Sequence, residues 1–303
     1  MVKLLGFGNA VVDFSVPLRA DNPFYERLRQ SRGGYMHTTE EEFEQMLSFV
    51  DAAAVTSCGG SVANSLKAYA KLGGICGFCG KIGGDEAGRF FGEELAAYGI
   101  CDQMNVSAEE GTGCTVVWVD EDGEKTVCAK RRASKYIRDR HIDWKEVINA
   151  GWLFVEGYWL DGNGAVVDML LRLARVSGVK TAFTLSDPKI VAENRERLLQ
   201  LMPYVTVLFG NTTEYEAADL PENVQPPLVL KTLGADGVEC RSNGNIRRYE
   251  ALAIEHPVST TGAGDAFAGG FLYEYLKSRD VDKAVETGQK CAAEVVSSEK
   301  SHL

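Results

Sequence analysis

The sequence has no long hydrophobic run. None of its segments approaches the roughly 18 uninterrupted apolar residues that a membrane-spanning helix needs, so we expect no membrane partner. The first residues are largely apolar, but Asp13 ends that stretch and no small-residue cleavage site follows it. This pattern favours a first β-strand over a signal peptide, and we expect a cytoplasmic protein.

Basic residues are also scarce. The 303-residue chain carries 32 Lys and Arg against 43 Asp and Glu, which gives a formal net charge of −11. Because a surface that binds nucleic acid must neutralise phosphates, this balance argues against a nucleic-acid partner.

Sets of metal-binding cysteine and histidine are missing as well. Among the eight cysteines, Cys76 and Cys79 form a C-x-x-C pair, but no second pair or histidine couple completes a zinc site. Most of the others lie in apolar contexts, as Cys128 and Cys291 do. We expect all eight to be reduced and mostly to pack in the interior, and none is a convincing nucleophile.

Short apolar strands alternate with amphipathic helices along most of the chain. We predict strands at Val2–Phe7, Ile75–Gly80, Trp152–Val155, Thr181–Leu185, Val205–Phe209 and Leu228–Thr232. Such alternation predicts an α/β fold with a mostly parallel sheet covered on both faces, and ligands bind at the carboxyl ends of its strands. One stretch differs: residues 113–130 are β-rich around an acidic turn, which indicates a hairpin that forms a small lid.

The octapeptide Thr260–Phe267 carries the strongest chemical signal. Gly262 and Gly264 precede a helical pattern, and backbone amides at a helix start favour a bound anion. Asp265 would repel that anion, so it needs another purpose, and accepting a proton from an attacking hydroxyl is one. A glycine-rich turn with an acidic capping residue is the alternative interpretation.

Two further segments suit a polyhydroxy ligand. Gly59 and Gly60 open a helix in which Asn64, one turn later, offers both a donor and an acceptor. Asn9 and Asp13 follow the first strand, and the carboxylate can accept two sugar hydroxyls. Helix capping and turn chemistry explain the same residues without a ligand.

Two segments that follow the fifth and sixth of these strands suit a nucleotide and its metal. Asn211 and Glu214 follow a strand and either cap a helix or organise Mg²⁺ and its waters. The turn Thr232-Leu233-Gly234-Ala235-Asp236-Gly237 follows the next strand and either borders a nucleotide or simply opens a hairpin.

These five features in this order resemble the PfkB, or ribokinase-like, carbohydrate kinase family. TTGAGDAFAGGF is similar to the family's C-terminal signature, GGSVAN with KIGGDEAGRF to its N-terminal one, and NTTE to its metal motif. The resemblance runs from Val2 to about Val296. Within the family, GFGNAVVDF, EGYWL and TLSDP are most similar to the adenosine kinase branch.

The resemblance implies a ribokinase-like three-layer α/β/α sandwich with a mostly parallel sheet. It implies one kinase domain over residues 1–303, whose β lid is formed from about 11–37 and 113–132. ATP and Mg²⁺ are the implied cofactors. The resemblance implies that Asp265 is the base and that Gly262, Ala263 and Gly264 form the anion hole. The implied ribose contacts are Asn9, Asp13, Gly59, Gly60 and Asn64. The implied metal ligands are Asn211 and Glu214, and the implied ATP contacts are Asn211, Thr232, Gly234, Gly237 and Gln289.

Three features of the sequence depart from the family pattern: two single residues and the basic run of the lid. Ser259 stands where an aspartate that helps to bind a monovalent cation is usual, so dependence on such a cation is left open. Gln289 replaces an asparagine near the adenine. The lid carries Arg131 and Arg132, and we predict that Arg132 contacts the substrate, either a phosphate or another anionic group.

The sequence therefore predicts an ATP- and Mg²⁺-dependent kinase that phosphorylates the 5′-hydroxyl of a nucleoside, with adenosine the first candidate. A sugar kinase of the same fold, acting on ribose, fructose or a sugar phosphate, is the alternative. A nucleotide- or sugar-binding protein without turnover is the alternative from another class. The sequence leaves the choice between monomer and homodimer open.

Overall fold

Strands and helices alternate along most of the chain, as the sequence predicts. The computed structural model describes residues 3–50, 54–242, 244–255 and 257–298; Val2, the predicted start of the first strand, lies outside them. The strands are β1 (Leu4–Phe7), β2 (Val11–Pro17), β3 (Val55–Gly59), β4 (Cys76–Cys79), β5 (Lys81–Gly83), β6 (Cys101–Asp102), β7 (Asn105–Ser107), β8 (Gly113–Val119), β9 (Lys125–Lys130), β10 (Trp152–Glu156), β11 (Lys180–Thr184), β12 (Val207–Asn211), β13 (Leu228–Thr232), β14 (Val238–Ser242) and β15 (Asn245–Tyr249). The α-helices are α1 (Tyr25–Gln30), α2 (Glu40–Leu47), α3 (Ser61–Lys71), α4 (Glu86–Ala97), α5 (Trp144–Asn149), α6 (Leu160–Ser177), α7 (Pro188–Glu193), α8 (Arg195–Leu201), α9 (Thr212–Ala218), α10 (Ala263–Ser278) and α11 (Val281–Val296).

The main sheet has nine strands in the order β15-β14-β13-β12-β11-β10-β1-β4-β6. The seven strands from β13 to β6 run parallel, and β14 and β15 extend that edge as an antiparallel hairpin. Parallel strands end at the same edge, so the residues that follow β1, β10, β11, β12 and β13 come together there. The carboxyl edge of the main sheet is therefore the expected position of the site.

Helices cover both faces of the main sheet. All five residues of β10 are buried, and they alternate: Trp152 and Phe154 pack into one apolar layer, whereas Leu153 and Val155 pack into the other. The first layer is completed by α3, α4, α10 and α11, and the second by α5, α6, α7, α8 and α9. The predicted three-layer α/β/α architecture is therefore confirmed.

The helical segment between β11 and β12 is divided into α7 and α8. Asn194 separates them, with φ −115° and ψ 21°, and its side-chain amide donates to the carbonyl of Ile190 at 2.9 Å. That side chain competes with the backbone for helical hydrogen bonds, which is a known tendency of asparagine.

A second, smaller sheet, here called the lid sheet, consists of β3, β2, β8 and β9 in that order. One of its faces packs on α1 and α2 through the cluster that includes Phe24, Leu28, Phe43 and Met46. The hairpin predicted within residues 113–130 is β8 and β9. Strand β3 was not predicted, because only its last two residues are buried and it has no alternating pattern.

The eight cysteines are free thiols in the described part of the chain, and all except Cys101 are buried. Cys76 and Cys79 point into opposite apolar layers of the sandwich, so this pair forms neither a disulfide nor a metal site. Burial raises the pKa of these buried thiols. None of the described helices is long and apolar enough to cross a membrane.

Candidate active site

A cavity of about 80 Å³ lies at the carboxyl edge of the main sheet. Residues from the ends of β11, β12 and β13 form one side of it, and the start of α10 forms another. Its lining consists of Ser61, Thr184, Ser186, Phe209, Gly210, Asn211, Glu214, Thr232, Gly264, Asp265 and Phe267. The structure thus brings the predicted base, both predicted metal ligands and one further predicted ATP contact, Thr232, to a single cavity.

Helix α10 begins at the octapeptide that the sequence singled out. Gly262 is its N-cap, with φ +80°, a conformation that glycine adopts without strain. The Ala263 amide donates to the carbonyl of Thr260 at 3.2 Å. The amides of Gly264 and Asp265 fall in the first turn, where the helix offers no carbonyl partner, so this terminus can bind an anion.

Gly264 leaves the space for that anion. A Cβ built on Gly264 meets no atom within 4 Å among the described residues, so packing inside the protein does not require glycine there. A side chain would instead protrude into the cavity above the first turn of α10. The space fits a phosphoryl group bound by backbone amides.

Asp265 is held by helix α3. Asn64 donates from Nδ2 to Asp265 Oδ2 at 3.3 Å, and the Ser61 side chain also hydrogen-bonds to this carboxylate. Burial raises the pKa of Asp265 to about 7, although both hydrogen bonds act in the opposite direction. A carboxylate with this pKa is a far better proton acceptor than an ordinary aspartate.

Two buried side-chain oxygens near Asp265 have no protein partner in the described structure. They are Oδ1 of Asn9 and Oδ1 of Asn64, whose residues are 3% and 5% exposed. A buried acceptor without a donor is costly, and hydroxyl groups of a ligand would supply the donors. This pair therefore fits the predicted polyhydroxy substrate.

Asp13 and the Gly59-Gly60 turn lie against each other. A Cβ on Gly59 would come within 2.3 Å of Asp13 Oδ2, and one on Gly60 within 2.3 Å of the Asn9 carbonyl. Both glycines thus allow the turn to approach two predicted substrate contacts. Burial raises the pKa of Asp13 to about 6, and a hydrogen bond from the Thr115 side chain opposes that rise.

Glu156 is a site residue that the sequence analysis did not single out. It is fully buried at the end of β10, where its carboxyl accepts hydrogen bonds from the amides of Asn9 (2.7 Å) and Val62 (3.3 Å). Burial raises the pKa of Glu156 to about 8, and the charge of Asp265 adds to the rise. Its position at the end of a buried strand, in the segment EGYWL, was the available signal.

Asn211 and Glu214 form a complete capping box at the start of α9. Glu214 accepts from the Asn211 backbone amide at 2.9 Å, and Asn211 Oδ1 accepts from the Glu214 amide at 3.0 Å. No group of three or more His, Cys, Asp or Glu side chains among the described residues is arranged to hold a metal ion. Mg²⁺ keeps several waters, and each Glu214 oxygen can accept a further hydrogen bond, so these two residues fit a hydrated Mg²⁺.

Three predicted ATP contacts, Gly234, Gly237 and Gln289, are not among the lining residues of this cavity. Thr232 lines the cavity itself and donates to the Gly210 carbonyl at 3.3 Å. Gly234 has φ +62° and open space around it, whereas a Cβ on Gly237 would strike the Tyr249 carbonyl at 1.9 Å. Gln289 donates to the Glu250 carbonyl at 2.6 Å. The hairpin alone explains Gly237, and the nucleotide roles of these residues stay predictions.

The two lid arginines are held in ion pairs. Arg132 pairs with Glu40 at 2.8 Å and Glu44 at 2.6 Å, and Arg131 pairs with Asp161. The predicted substrate contact of Arg132 thus competes with two carboxylates of α2, and it stays a prediction. Ser259 accepts a hydrogen bond from the Thr261 amide at 3.3 Å, which supports the turn before α10.

The second face of the lid sheet is divided into a polar row and a largely apolar row. Strand register aligns Ser57, Asp13, Thr115 and Ala129 in the first, and Val55, Ser15, Val117, Val127 and Tyr35 in the second. Tyr35 is 64% exposed, whereas Met36 beside it is buried in the opposite face. Burial raises the pKa of the Tyr35 hydroxyl, and the charges of Asp187 and Asp13 add to the rise.

Comparisons with known proteins agree with this geometry. The sequence profile of the pfkB family carbohydrate kinases matches residues 35–302. Adenosine kinase 2 of Arabidopsis thaliana is 24% identical over 94% of this chain and 91% of its own, and ribokinase of Haemophilus influenzae is 25% identical over 78% and 79%. The crystal structure of adenosine kinase from Sinorhizobium meliloti matches with a TM-score of 0.87 at 27% identity, covering 100% of this chain and 96% of that one. The predicted ribokinase-like fold is confirmed.

Proposed function

Since the chain belongs to the pfkB family of carbohydrate kinases, we propose that the alcohol it phosphorylates with ATP is the 5′-hydroxyl of a nucleoside, with adenosine the first candidate. The family membership accounts for a phosphotransferase with an alcohol acceptor. The choice of a nucleoside rests on the lid sheet. The similar adenosine kinases from plant and bacterial sources support it, whereas the similarity to ribokinase supports the alternative.

The two rows of the lid sheet carry the proposal. The polar row contains Asp13, next to Gly59, and would accept ribose hydroxyls. The adjacent row offers Val117, Val127 and the Tyr35 ring, an apolar surface that a free sugar would leave uncovered. A planar base attached to the ribose would cover that surface, since flat aromatic groups pack on apolar and aromatic side chains.

The proposed mechanism uses the residues of the cavity in sequence. Asn9, Asn64 and Asp13 hold the ribose so that its primary hydroxyl faces Asp265. As the hydroxyl oxygen bonds to the γ-phosphorus of ATP and the bond to the leaving ADP oxygen breaks, Asp265 accepts the hydroxyl proton. The amides at the start of α10 bind the transferring phosphoryl oxygens.

Mg²⁺, when bound, would neutralise charge on the ATP phosphates, with Asn211 and Glu214 holding its waters.

A screen of ADP release over nucleosides, free sugars and sugar phosphates tests the proposal. We expect adenosine to exceed ribose by at least about 100-fold in kcat/KM. Tyr35→Ala should lower kcat/KM for adenosine about ten-fold and leave that for ribose unchanged. Tyr25→Ala, on α1 behind the opposite face of the lid sheet, is the matched control. Turnover of free sugars alone would establish the sugar-kinase alternative instead.

The non-catalytic alternative gives a different result in the same screen. A binding protein would bind adenosine and ATP, as measured by calorimetry, without releasing ADP from any acceptor. The intact arrangement of Asp265, Asn64 and Gly264 favours turnover.

A further inference from the structure

Lys67 is a fully buried lysine behind the proposed ribose site. It lies on α3, three residues after Asn64, and its side chain is 0% exposed. A buried ammonium is costly unless it is paired. Lys67 pairs with Glu94 of α4, and its Nζ donates to the Cys58 carbonyl at 3.2 Å.

The same ion pair holds the other polar group of Cys58. Glu94 Oε2 accepts from the Cys58 amide at 3.3 Å, so the amide and the carbonyl of this residue are both bound by the pair. Cys58 belongs to β3, which is an edge strand of the lid sheet. Lys67 and Glu94 therefore take the place of a neighbouring strand and attach this edge to α3 and α4.

Cys58 connects this ion pair to the substrate contacts. It directly precedes Gly59, which lies against the Asp13 carboxylate, and Ser57 on its other side is paired with Asp13 across the sheet. Any shift of β3 would therefore change the distance between the Gly59-Gly60 turn and Asp13.

Charge gives a second connection. Burial raises the pKa of Asp13. The charge of Lys67 lowers this pKa, and the charge of Glu94 raises it by less than Lys67 lowers it. Among the described residues, the Thr115 and Tyr35 hydroxyls and the thiols of Cys58 and Cys114 also interact with Asp13. Lys67 carries the positive charge in this described set.

We propose that Lys67 is a positioning residue for the alcohol substrate: with Glu94 it fixes β3, so that the Gly59-Gly60 turn stays against the Asp13 carboxylate, the proposed hydroxyl acceptor. It acts through Asp13 and Cys58 and touches no substrate. The proposal rests on the proposed function in one respect, that Asp13 accepts a substrate hydroxyl.

The first test needs no substrate. The pKa of Asp13 is followed by the carboxyl ¹³C shift in selectively labelled protein, with Asp13→Asn to assign the resonance. We expect Lys67→Met to raise this pKa by about one unit. Lys71→Met, which removes the exposed Lys71–Glu294 pair on the same helix, is the control and should leave it unchanged.

The second test measures KM and kcat between pH 5.5 and 8.5 with whichever alcohol the wild type phosphorylates. Lys67→Met should raise the KM for the alcohol at least ten-fold at pH 7, with the KM for ATP and kcat changed less than three-fold. If the single variant fails to fold, the double variant Lys67→Met/Glu94→Met replaces it. The double variant removes both charges of the pair, so neither is left buried without its partner, and it should show the same effect.

An Asp13 pKa and a KM that both match the wild type in a folded variant would overturn the proposal. The Asp13 titration does not depend on turnover. It therefore still tests the role of Lys67 if the substrate proves not to be a nucleoside.

Discussion

Two carboxyl groups at the centre of the site have environments that separate their roles. Burial raises the pKa of Asp265 to about 7 and that of Glu156 to about 8. At neutral pH Asp265 is thus partly ionised and able to accept a proton, whereas Glu156 is mostly protonated. Asp265 lines the cavity, and Glu156 lies behind it, bonded to the Asn9 and Val62 amides. These positions suit the proposed role of Asp265 in proton transfer and a supporting role of Glu156, which holds the Asn9 and Val62 amides.

Glu156 should make the protein less stable as the pH rises. The native state keeps this proton up to about pH 8, whereas an unfolded glutamate releases it near pH 4.5, so stability falls across that interval. Glu156→Gln should remove this dependence. From pH 6 to pH 8 the free energy of unfolding of the variant should improve relative to wild type by on the order of 2 kcal/mol. Urea titrations at several pH values measure the free energy of unfolding of both proteins. If the two free energies changed with pH in parallel, the prediction would be contradicted.

Which site residues could be predicted depended on their local signals. Asp265, Gly60 and Asn64 stand beside glycines at helix starts, where a short motif indicates both structure and chemistry. Glu156 and Lys67 stand in no such motif. Glu156 ends an apolar strand, and Lys67 occupies an ordinary helical position. Their importance comes from burial by distant segments, which a single sequence does not show.

At the level of elements, the start of α10 does the most for the proposed chemistry. This helix has 16 residues, and its first turn faces the cavity with two amides that lack helical partners. The helix dipole adds to the attraction for a phosphoryl group. Helix α3 begins beside it and supplies Ser61 and Asn64 to Asp265, so two helix starts form one site.

Gly264→Ala separates function from stability at this helix start. No protein atom opposes the new methyl group, and alanine is the better helix former, so the melting temperature should stay the same or rise. The methyl group occupies the proposed phosphoryl space, so kcat/KM should fall at least about ten-fold. Gly92→Ala, in the middle of α4, is the matched control, where a Cβ makes only an ordinary contact at 3.7 Å. A fully active Gly264→Ala enzyme would exclude this anion site.

The ends of these elements were predicted to different degrees. Helix α3 begins directly after Gly60, as the sequence predicts, and ends at Lys71, two residues before Gly73. The break at Asn194 and strand β3 were not predicted. The break at Asn194 depends on one side-chain hydrogen bond. Strand β3 depends on pairing with β2, which lies far away in the sequence, so the residues of β3 alone do not indicate a strand.

Across the whole molecule, the lid sheet and the main sheet share apolar contacts. Val12 of β2 and Cys58 of β3 pack into the same apolar layer as Leu66, Phe154 and Phe271 of the sandwich. The alternation of strands and helices predicted the sandwich. The residues that share each face of the lid sheet followed only from the strand register, since a shift by one residue would exchange the two faces.

These shared contacts predict cooperative unfolding. We expect one calorimetric transition whose van't Hoff and calorimetric enthalpies agree, which is also what the predicted single domain over residues 1–303 requires. Differential scanning calorimetry without ligand measures this. A separate transition at lower temperature, with loss of the Trp118 fluorescence signal from the lid sheet alone, would show that the lid sheet is an independent unit.

The most direct test of the account is the turnover of Asp265→Asn, because every part of the proposed mechanism converges on this proton acceptor. Asparagine keeps an oxygen for the hydrogen bond from Asn64 but has no basicity. We predict that ADP release falls by about 10²–10⁴-fold, with the Kd for adenosine within about three-fold of wild type, while Asp168→Asn on α6 behaves as wild type. Wild-type kcat/KM should rise with pH through about 7, and the variant should lose this rise. A variant that kept more than a tenth of wild-type turnover would show that Asp265 is not the base.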